Sequence, residues 1–100
     1  LNGVEDQPVS GVAEVYTLSQ NYPNPFNPST KIAFSIPKAS QVTLKVYNLI
    51  GQEVASLVNE NLNAGEHTAS FDAGNMSSGV YFYTIHAGNF TNTRKMMLLK

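Results

Sequence analysis

Gln41-Val42-Thr43-Leu44-Lys45-Val46-Tyr47 alternates apolar side chains with larger polar ones. Because successive side chains of a β-strand point to opposite faces, this pattern predicts a strand with Val42, Leu44 and Val46 on its buried face. Residues 48–51 follow as Asn-Leu-Ile-Gly. Asn and Gly tolerate positive φ, so we predict a turn here and a hairpin into the next segment.

The next segment is ambiguous, because its apolar residues recur at helical spacing: Val54, Leu57, Val58 and Leu62. The glycines at 51 and 65 and the short strands predicted on either side favour a β-structure instead. We therefore predict a strand over residues 53–58.

Further strands are indicated on both sides of this hairpin. Residues 31–36 alternate and stop at Pro37, residues 66–71 alternate again, and residues 80–86 are rich in β-formers. Residues 87–89, Ala-Gly-Asn, are typical of a tight turn that leads into a last strand over Phe90–Leu99. The side chains that we expect to point inward here are Ile32, Phe34, Ile36, Tyr81, Tyr83 and Ile85, and His67, Ala69 and Phe71 are expected to share one face of their strand.

The succession of short strands, with no convincing helix and no parallel crossover, fixes the expected fold class. It predicts an all-β, antiparallel, immunoglobulin-like β-sandwich of about seven short strands. Residues 1–16 contain three acids, two glycines and a proline without sustained periodicity, which is typical of a flexible linker. We expect an acidic linker over 1–16 and the sandwich over 17–100.

Between the linker and the first long strand lies Asn-Tyr-Pro-Asn-Pro-Phe-Asn-Pro-Ser-Thr, residues 21–30. Proline fixes its own φ, lacks an N–H and pushes the preceding residue out of the α region, so this stretch is predicted to be a stiff loop. Tyr22 and Phe26 carry large apolar rings on that loop. We expect both rings to dock on the end of a neighbouring sheet.

Composition and charge exclude several classes of function. The net charge is −1 and only six residues are Lys or Arg, which is too few for a surface that tracks phosphates, so we expect no nucleic-acid partner. The longest apolar run considered, Met96–Leu99, is far shorter than the ~20 residues that span a bilayer, so no membrane span is expected. The first thirty residues are acidic and the last seven basic, with Arg94, Lys95 and Lys100.

Catalytic chemistry is poorly represented. The chain has no Cys, and its two histidines, His67 and His86, fall on separate strands without a carboxylate at ligand-like spacing. We predict no enzyme, no cofactor and no metal site. Residues 72–75, with Ser77 nearby, could offer oxygens to calcium, but a hydrogen-bonded Asx turn is the alternative that we favour.

Several short motifs, in order, resemble one family. They are the stretch 18–30 with its Asn-Tyr-Pro-Asn-Pro-Phe-Asn-Pro core, Val-Tyr-Asn-Leu-Ile-Gly-Gln-Glu-Val at 46–54, Gly65, Phe-Asp-Ala at 71–73, Ser-Gly-Val-Tyr at 78–81 and Lys-Met-Met-Leu-Leu-Lys at 95–100. Together they resemble the type A C-terminal sorting domains of the type IX (Por) secretion system of Bacteroidetes-type bacteria. The resemblance covers Leu18 to Lys100.

The resemblance implies a function of delivery. Such domains direct an N-terminal passenger from the periplasm across the outer membrane through the type IX translocon, and a sortase-like cysteine peptidase then removes the domain, leaving the passenger at the cell surface or outside the cell. Carried over by residue, translocon recognition would involve Gly79, Tyr81, Lys95, Met96, Met97, Leu98, Leu99 and Lys100. The stiff loop, with Tyr22, Pro23, Asn24, Pro25, Phe26, Asn27 and Pro28, would be structural.

A physical reason for a signal in the last strand is an open edge, where unpaired backbone groups would let a partner add a strand. Met97 and Leu99 could instead simply fill the core. The chain begins at Leu1 without a signal peptide, so we expect a passenger ahead of it, and cleavage in the linker before Leu18. The alternatives to delivery are an accessory carbohydrate-binding or adhesion sandwich of a secreted hydrolase, and an inert spacer.

Overall fold

The computed structural model describes residues 15–100, which form β-strands and no helix. The strands are β1 (Thr17–Leu18), β2 (Ser29–Ile36), β3 (Ser40–Tyr47), β4 (Glu53–Leu62), β5 (Gly65–Asp72), β6 (Gly79–Ala87) and β7 (Phe90–Leu98). Within this described part of the chain, no helix of a length and apolar character suited to crossing a bilayer is found. Most of the predicted linker, residues 1–14, lies outside the described residues.

The strands pair into two antiparallel sheets. One has three strands in the order β1-β2-β5, and the other has four in the order β4-β3-β6-β7. Two sheets of this kind bury their apolar faces against each other, which leaves alternate residues of each strand facing water. The predicted all-β antiparallel sandwich of about seven short strands is confirmed.

The core lies between the two sheets and follows the predicted alternation. In β3, the side chains of Val42, Leu44 and Val46 are completely buried, as are Tyr83 and Ile85 in β6. The other predicted inward side chains, Ile32, Phe34, Ile36 and Tyr81, are also buried. On the predicted common face of β5, Ala69 and Phe71 are buried and His67 is only partly covered. The ring of His67 stacks on that of Phe34, with centroids 5.5 Å apart.

The ambiguous segment after the first hairpin is a strand, as predicted, and it extends to Leu62. Its helix-like spacing has a structural cause. The pairing of β4 with β3 shifts register twice, and each shift leaves one residue of β4 without a partner, Leu57 in one case and Val54 in the other. A β-bulge adds a residue to one strand and breaks the period of two, so an irregular strand can imitate a helical pattern.

Both predicted tight turns are present. Gly51 ends the turn after β3 with φ of 86°, and Gly88 lies in the turn between β6 and β7 with φ of 58°. Positive φ of this size favours glycine. The β6–β7 hairpin pairs Ala87 with Phe90, so its connection is only two residues long.

The chain packs on the sandwich from just before β1. The ring of Tyr16 stacks on Phe90, with centroids 5.1 Å apart, and the Ser35 hydroxyl donates a hydrogen bond to the carbonyl of Val15 at 3.1 Å. These contacts lie beside the predicted start of the domain at residue 17. That boundary stays a prediction.

Candidate functional site

Strand register brings the sequence motifs together at one end of the sandwich. In the four-stranded sheet Tyr47 pairs with Phe82, and Gly79 pairs with Leu98, so the end of β3, the start of β6 and the end of β7 are adjacent. In the other sheet, β2 begins where β5 ends. This end, which we call the proline-loop end, therefore carries residues 21–28, the turn 48–51, the loop 73–78 and residues 99–100.

The segment 21–28, which we call the proline loop, joins the two sheets at this end. The bonds Tyr22–Pro23, Asn24–Pro25 and Asn27–Pro28 are cis. Tyr22 forms two backbone hydrogen bonds with Lys31 of β2, at 2.9 and 3.0 Å, and Phe26 forms a parallel bridge to Leu98 of β7. A single segment thus contacts both layers.

The two aromatic rings of the loop have opposite environments. Phe26 is 2% exposed and packs on Phe71, with ring centroids 6.0 Å apart, as expected of a ring that seals the core. Tyr22 is 82% exposed, so the prediction that it docks on a sheet is wrong. The reason is its pairing with Lys31, because directly opposed residues of an antiparallel pair face the same side, and Lys31 points to solvent.

A buried polar cluster fixes the entry to the loop. The backbone N–H of Asn21 donates to the hydroxyl of Tyr83 at 2.8 Å, and that hydroxyl donates to the carbonyl of Ser19 at 2.7 Å. The amide side chain of Asn21 donates to the Pro23 carbonyl and to the hydroxyl of Thr30. Buried polar groups need such partners, so this cluster sets the path of the chain into the loop. Sequence patterning placed Tyr83 inward but gave no sign of its partners.

Burial raises the pKa of the Tyr83 hydroxyl above its ordinary value of 10.0, and the hydrogen bond with Asn21 and the charge of Arg94 offset only part of this rise. As the pH rises, Tyr83 therefore loses its proton at a lower pH in the unfolded chain than in the folded protein. The stabilisation from this group is therefore complete below pH of about 10 and declines as the pH rises above it.

We expect the Tyr83→Phe variant to show two changes in urea unfolding. At neutral pH its free energy of unfolding should be lower than that of the wild type by about 1–3 kcal/mol, because the Ser19 carbonyl and the Asn21 N–H lose their partner. Between about pH 9 and pH 11, its free energy of unfolding should fall less steeply than that of the wild type. Parallel pH profiles for the two proteins would contradict this assignment.

β7 is an edge strand, but its edge is not open between residues 95 and 99. The Phe26 N–H donates to the Met97 carbonyl at 3.0 Å, the Leu99 N–H donates to the Phe26 carbonyl at 3.0 Å, and the Met97 N–H donates to Asn24 Oδ1 at 3.0 Å. Gln20 Nε2 donates to the Lys95 carbonyl at 2.7 Å. The proline loop occupies the edge as a short added strand would.

The expectation of an open terminal edge is therefore wrong in this region. The groups that cover it lie about seventy residues earlier in the chain, so local pattern could not reveal them. A partner strand could pair with β7 here only by displacing the loop. A partner that leaves the loop in place can contact this part of β7 only through its side chains.

The side chains of the last strand divide into two sets. Met96 and Leu98 are 1% and 0% exposed, whereas Met97 and Leu99 are 37% and 52% exposed. The alternative that Met97 and Leu99 fill the core is therefore wrong. Their neighbours fill the core instead.

The other predicted recognition residues lie beside these. Gly79 and Tyr81 of β6 pair with Leu98 and Met96 of β7. The Tyr81 ring is buried, and its hydroxyl donates to the Ser77 carbonyl at 2.8 Å. The structure thus brings the two separated motifs into one hairpin, with the tyrosine holding the preceding loop.

Three cations surround the end of β7. Arg94 Nε donates to the Leu18 carbonyl at 2.6 Å, and Lys100 Nζ donates to the Gly74 carbonyl at 2.6 Å. Lys95 is exposed on the outer face. Within residues 15–100 the only salt bridge is Lys45–Glu53, at 3.4 Å, so none of these cations is neutralised by a carboxylate there.

The turn 48–51 adds two residues that sequence patterning did not single out. Leu49 is 70% and Ile50 is 78% exposed at the tip of the β3–β4 hairpin. A shallow cavity of about 270 Å³ lies between these side chains and Ser78–Tyr81. Two large apolar residues inside a predicted turn were the signal that could have drawn attention to them.

The groups weighed for metal or catalytic chemistry are engaged locally. The imidazole of His67 contacts the Asn63 carbonyl through Nε2 at 2.8 Å, and that of His86 contacts the Thr91 hydroxyl through Nδ1 at 3.1 Å. In the part of the chain that the structure covers, no group of three metal-binding side chains is found. Asp72 Oδ1 accepts the Gly74 N–H at 2.9 Å, which is the predicted Asx turn.

Comparison with protein families gives a match that spans most of the chain. The model described as secretion system C-terminal sorting domain matches residues 20–99. No curated protein matches the chain. The matched range contains the proline loop, the turn 48–51 and the whole of β7.

Proposed function

This chain belongs to the secretion system C-terminal sorting domain family, so it carries a sorting signal of the type IX system, and we propose that this signal takes an N-terminal passenger from the periplasm across the outer membrane. Domains of this family are destined for the cell surface or the extracellular space. The observation that carries the proposal is the family match over residues 20–99, because it includes all of the proline-loop end except Lys100.

The residues of β7 and the two that follow it fall into a buried set, which stabilises the fold, and an exposed set, which is available for recognition. Lys95, Met97, Leu99 and Lys100 are exposed and therefore available to the translocon. The buried side chains of Met96 and Leu98, together with Tyr81, hold the hairpin in place. The signal is thus a set of side chains displayed by a folded strand, rather than a flexible tail.

An export assay tests this function. A fluorescent protein with a signal peptide is fused ahead of residues 1–100 and expressed in a host with a type IX system, beside the same reporter without them. We expect the fusion outside the cell and the bare reporter in the periplasm. Periplasmic retention of a folded fusion would contradict the proposal.

Charge at the end of β7 is the next component. We expect Lys95→Ala together with Lys100→Ala to lower the exported fraction several-fold, because neither cation has a carboxylate partner within residues 15–100 that an acidic receptor would have to displace. The melting temperature should stay close to that of the wild type, since substitutions at exposed sites change stability by about 0.5 kcal/mol or less. Lys31→Ala with Lys38→Ala is the matched control. Normal export of the Lys95/Lys100 variant would show that these two charges are not part of the signal.

Removal of the domain after export is the second step that we propose, by a sortase-like cysteine peptidase acting in the linker before Leu18. Leu18 lies in β1 with its side chain buried, and β1 pairs with β2, so its backbone cannot enter a protease cleft until the two strands separate. Mass spectrometry of the exported reporter tests this step. A product that ends within residues 1–17 supports it, and an exported product that retains Lys100 opposes it.

Carbohydrate binding is the other candidate, and one observation favours it. The Tyr22 ring is 82% exposed on a rigid loop, and it borders an open groove of about 520 Å³ lined also by Pro23, Lys31 and Asp72. An exposed ring beside a few polar groups is a common surface for stacking on a sugar. Retention of the domain on cellulose or xylan, lost in Tyr22→Ala, would support this function; no retention would leave delivery as the function.

A further inference from the structure

The hairpin tip between β3 and β4 exposes two large apolar side chains that do not contribute to the core. Leu49 and Ile50 are 70% and 78% exposed, and neither belongs to the core cluster. Turn positions are commonly filled by small or polar residues, because the turn itself faces water. Adjacent exposed apolar residues on a well-ordered element are more typical of a contact surface.

Hydrogen bonds fix the backbone of the turn that carries these two side chains. Asn48 Oδ1 accepts hydrogen bonds from the N–H groups of Ile50 and Gln52, at 3.1 and 2.9 Å, and Asn48 Nδ2 donates to Gln52 Oε1 at 2.9 Å. The Gly51 N–H donates to the Asn48 carbonyl at 3.0 Å. A turn that is already ordered loses little conformational entropy when a partner binds it.

The exposed tip continues into the end of β7. The cavity beside Leu49 and Ile50 reaches Val80, and Val80 pairs with Met97, so the two side chains share one face of the sheet. Leu99 lies one residue beyond the strand and is 52% exposed. We call these five residues, Leu49, Ile50, Val80, Met97 and Leu99, the apolar patch.

Cations border the apolar patch on the side of β7. Lys95 pairs with Phe82, in the row next to Val80 and Met97, and Lys100 follows Leu99 directly. Neither lysine forms a salt bridge within residues 15–100. The rim therefore carries positive charge that a partner could match.

We propose that the apolar patch is the docking surface for a protein of the secretion system, whose complementary site is an apolar pocket bordered by carboxylates. This inference rests on the proposed function and extends the recognised surface from the last strand to the turn 48–51. Apolar side chains that become buried at the centre of an interface supply most of its affinity, and charges at the rim supply rate and specificity. The patch and its lysines have this arrangement.

The export assay with residues 1–100 tests the role of the turn. We expect Leu49→Ser with Ile50→Ser to lower the exported fraction at least five-fold while the melting temperature stays within a few degrees of the wild type, since both side chains lie outside the core. Val15→Ser is the control, because it removes a 62% exposed apolar side chain that lies before β1, and it should be exported normally. Wild-type export of the Leu49/Ile50 variant would overturn the inference.

A second pair of variants tests the acidic border. Lys95→Glu with Lys100→Glu should be exported less than Lys95→Ala with Lys100→Ala, because carboxylates would repel an acidic rim as well as remove the attraction. Equal export of the two variants would overturn the inference that carboxylates border the partner's pocket.

Failure of the docking surface can be distinguished from failure of the sorting function. If the unmodified fusion stays in the periplasm, the proposed function itself fails; if the unmodified fusion and the Leu49/Ile50 variant are both exported, only the docking surface fails. Sedimentation of the isolated chain examines a second copy as the occupant. A dimer that the Leu49/Ile50 substitutions dissociate would overturn the secretion partner in favour of self-association.

Discussion

Replacement of Phe26 by alanine is expected to lower the free energy of unfolding by about 3–5 kcal/mol, because the ring is 2% exposed and fills space beside Phe71. A chain of 100 residues has little stability to lose, so the melting temperature should fall by at least about 10 °C. Thermal and urea unfolding, followed by circular dichroism, measure both quantities.

The same variant reports on the edge of β7. Phe26 accepts the Leu99 N–H and donates to the Met97 carbonyl, so loosening the loop should speed hydrogen exchange at Leu99 more than at the strands in the middle of the sheet. Tyr22→Ala lies in the same loop and removes an aromatic ring of similar size that is 82% exposed. It should change stability by no more than about 0.5 kcal/mol. Equal losses for the two variants would contradict the division of the loop into a buried and an exposed ring.

Leu98→Ala should destabilise the domain by about 2–5 kcal/mol, and Leu99→Ala should be nearly neutral. Leu98 is 0% exposed between the sheets, whereas Leu99 is 52% exposed at the proline-loop end. The chemical change is identical at the two positions, so each variant is the control for the other. Urea unfolding of both measures the difference, and a larger loss at Leu99 would mean that the phase of β7 is the opposite of the one described.

This pair also shows how the signal should be dissected. Truncation of residues 94–100 removes Met96 and Leu98 from the core, so a failure of export would report an unfolded domain as much as a missing signal. Substitutions at Lys95, Met97, Leu99 and Lys100 leave the core intact. They are the informative changes.

The strands could be predicted wherever side chains alternate. Val42, Leu44 and Val46 define their own face, and so do Ile32, Phe34 and Ile36 in β2, because a period of two is a local property. The same reasoning could not set the phase of β7. Met96–Leu99 is a run of four apolar residues, and such a run has no alternation to read.

The resemblance proposes residues for the candidate site, but their arrangement could not be predicted from local sequence. Nothing local distinguishes Tyr22 from Phe26, since the loop has no periodicity, and only pairing with Lys31 and Leu98 turns one ring outward and the other inward. The covered edge of β7 depends on groups distant in the chain, such as Asn24 and Met97. Contacts of this kind follow from the fold as a whole.

The sorting role is tested by exporting one reporter, fused ahead of residues 1–100, from two otherwise identical strains, one with an intact type IX translocon and one whose outer-membrane pore is inactivated. We predict that the reporter accumulates outside the intact strain and is retained in the periplasm of the other. Equal amounts of reporter outside both strains, with the periplasm intact, would contradict a role for this domain in type IX sorting.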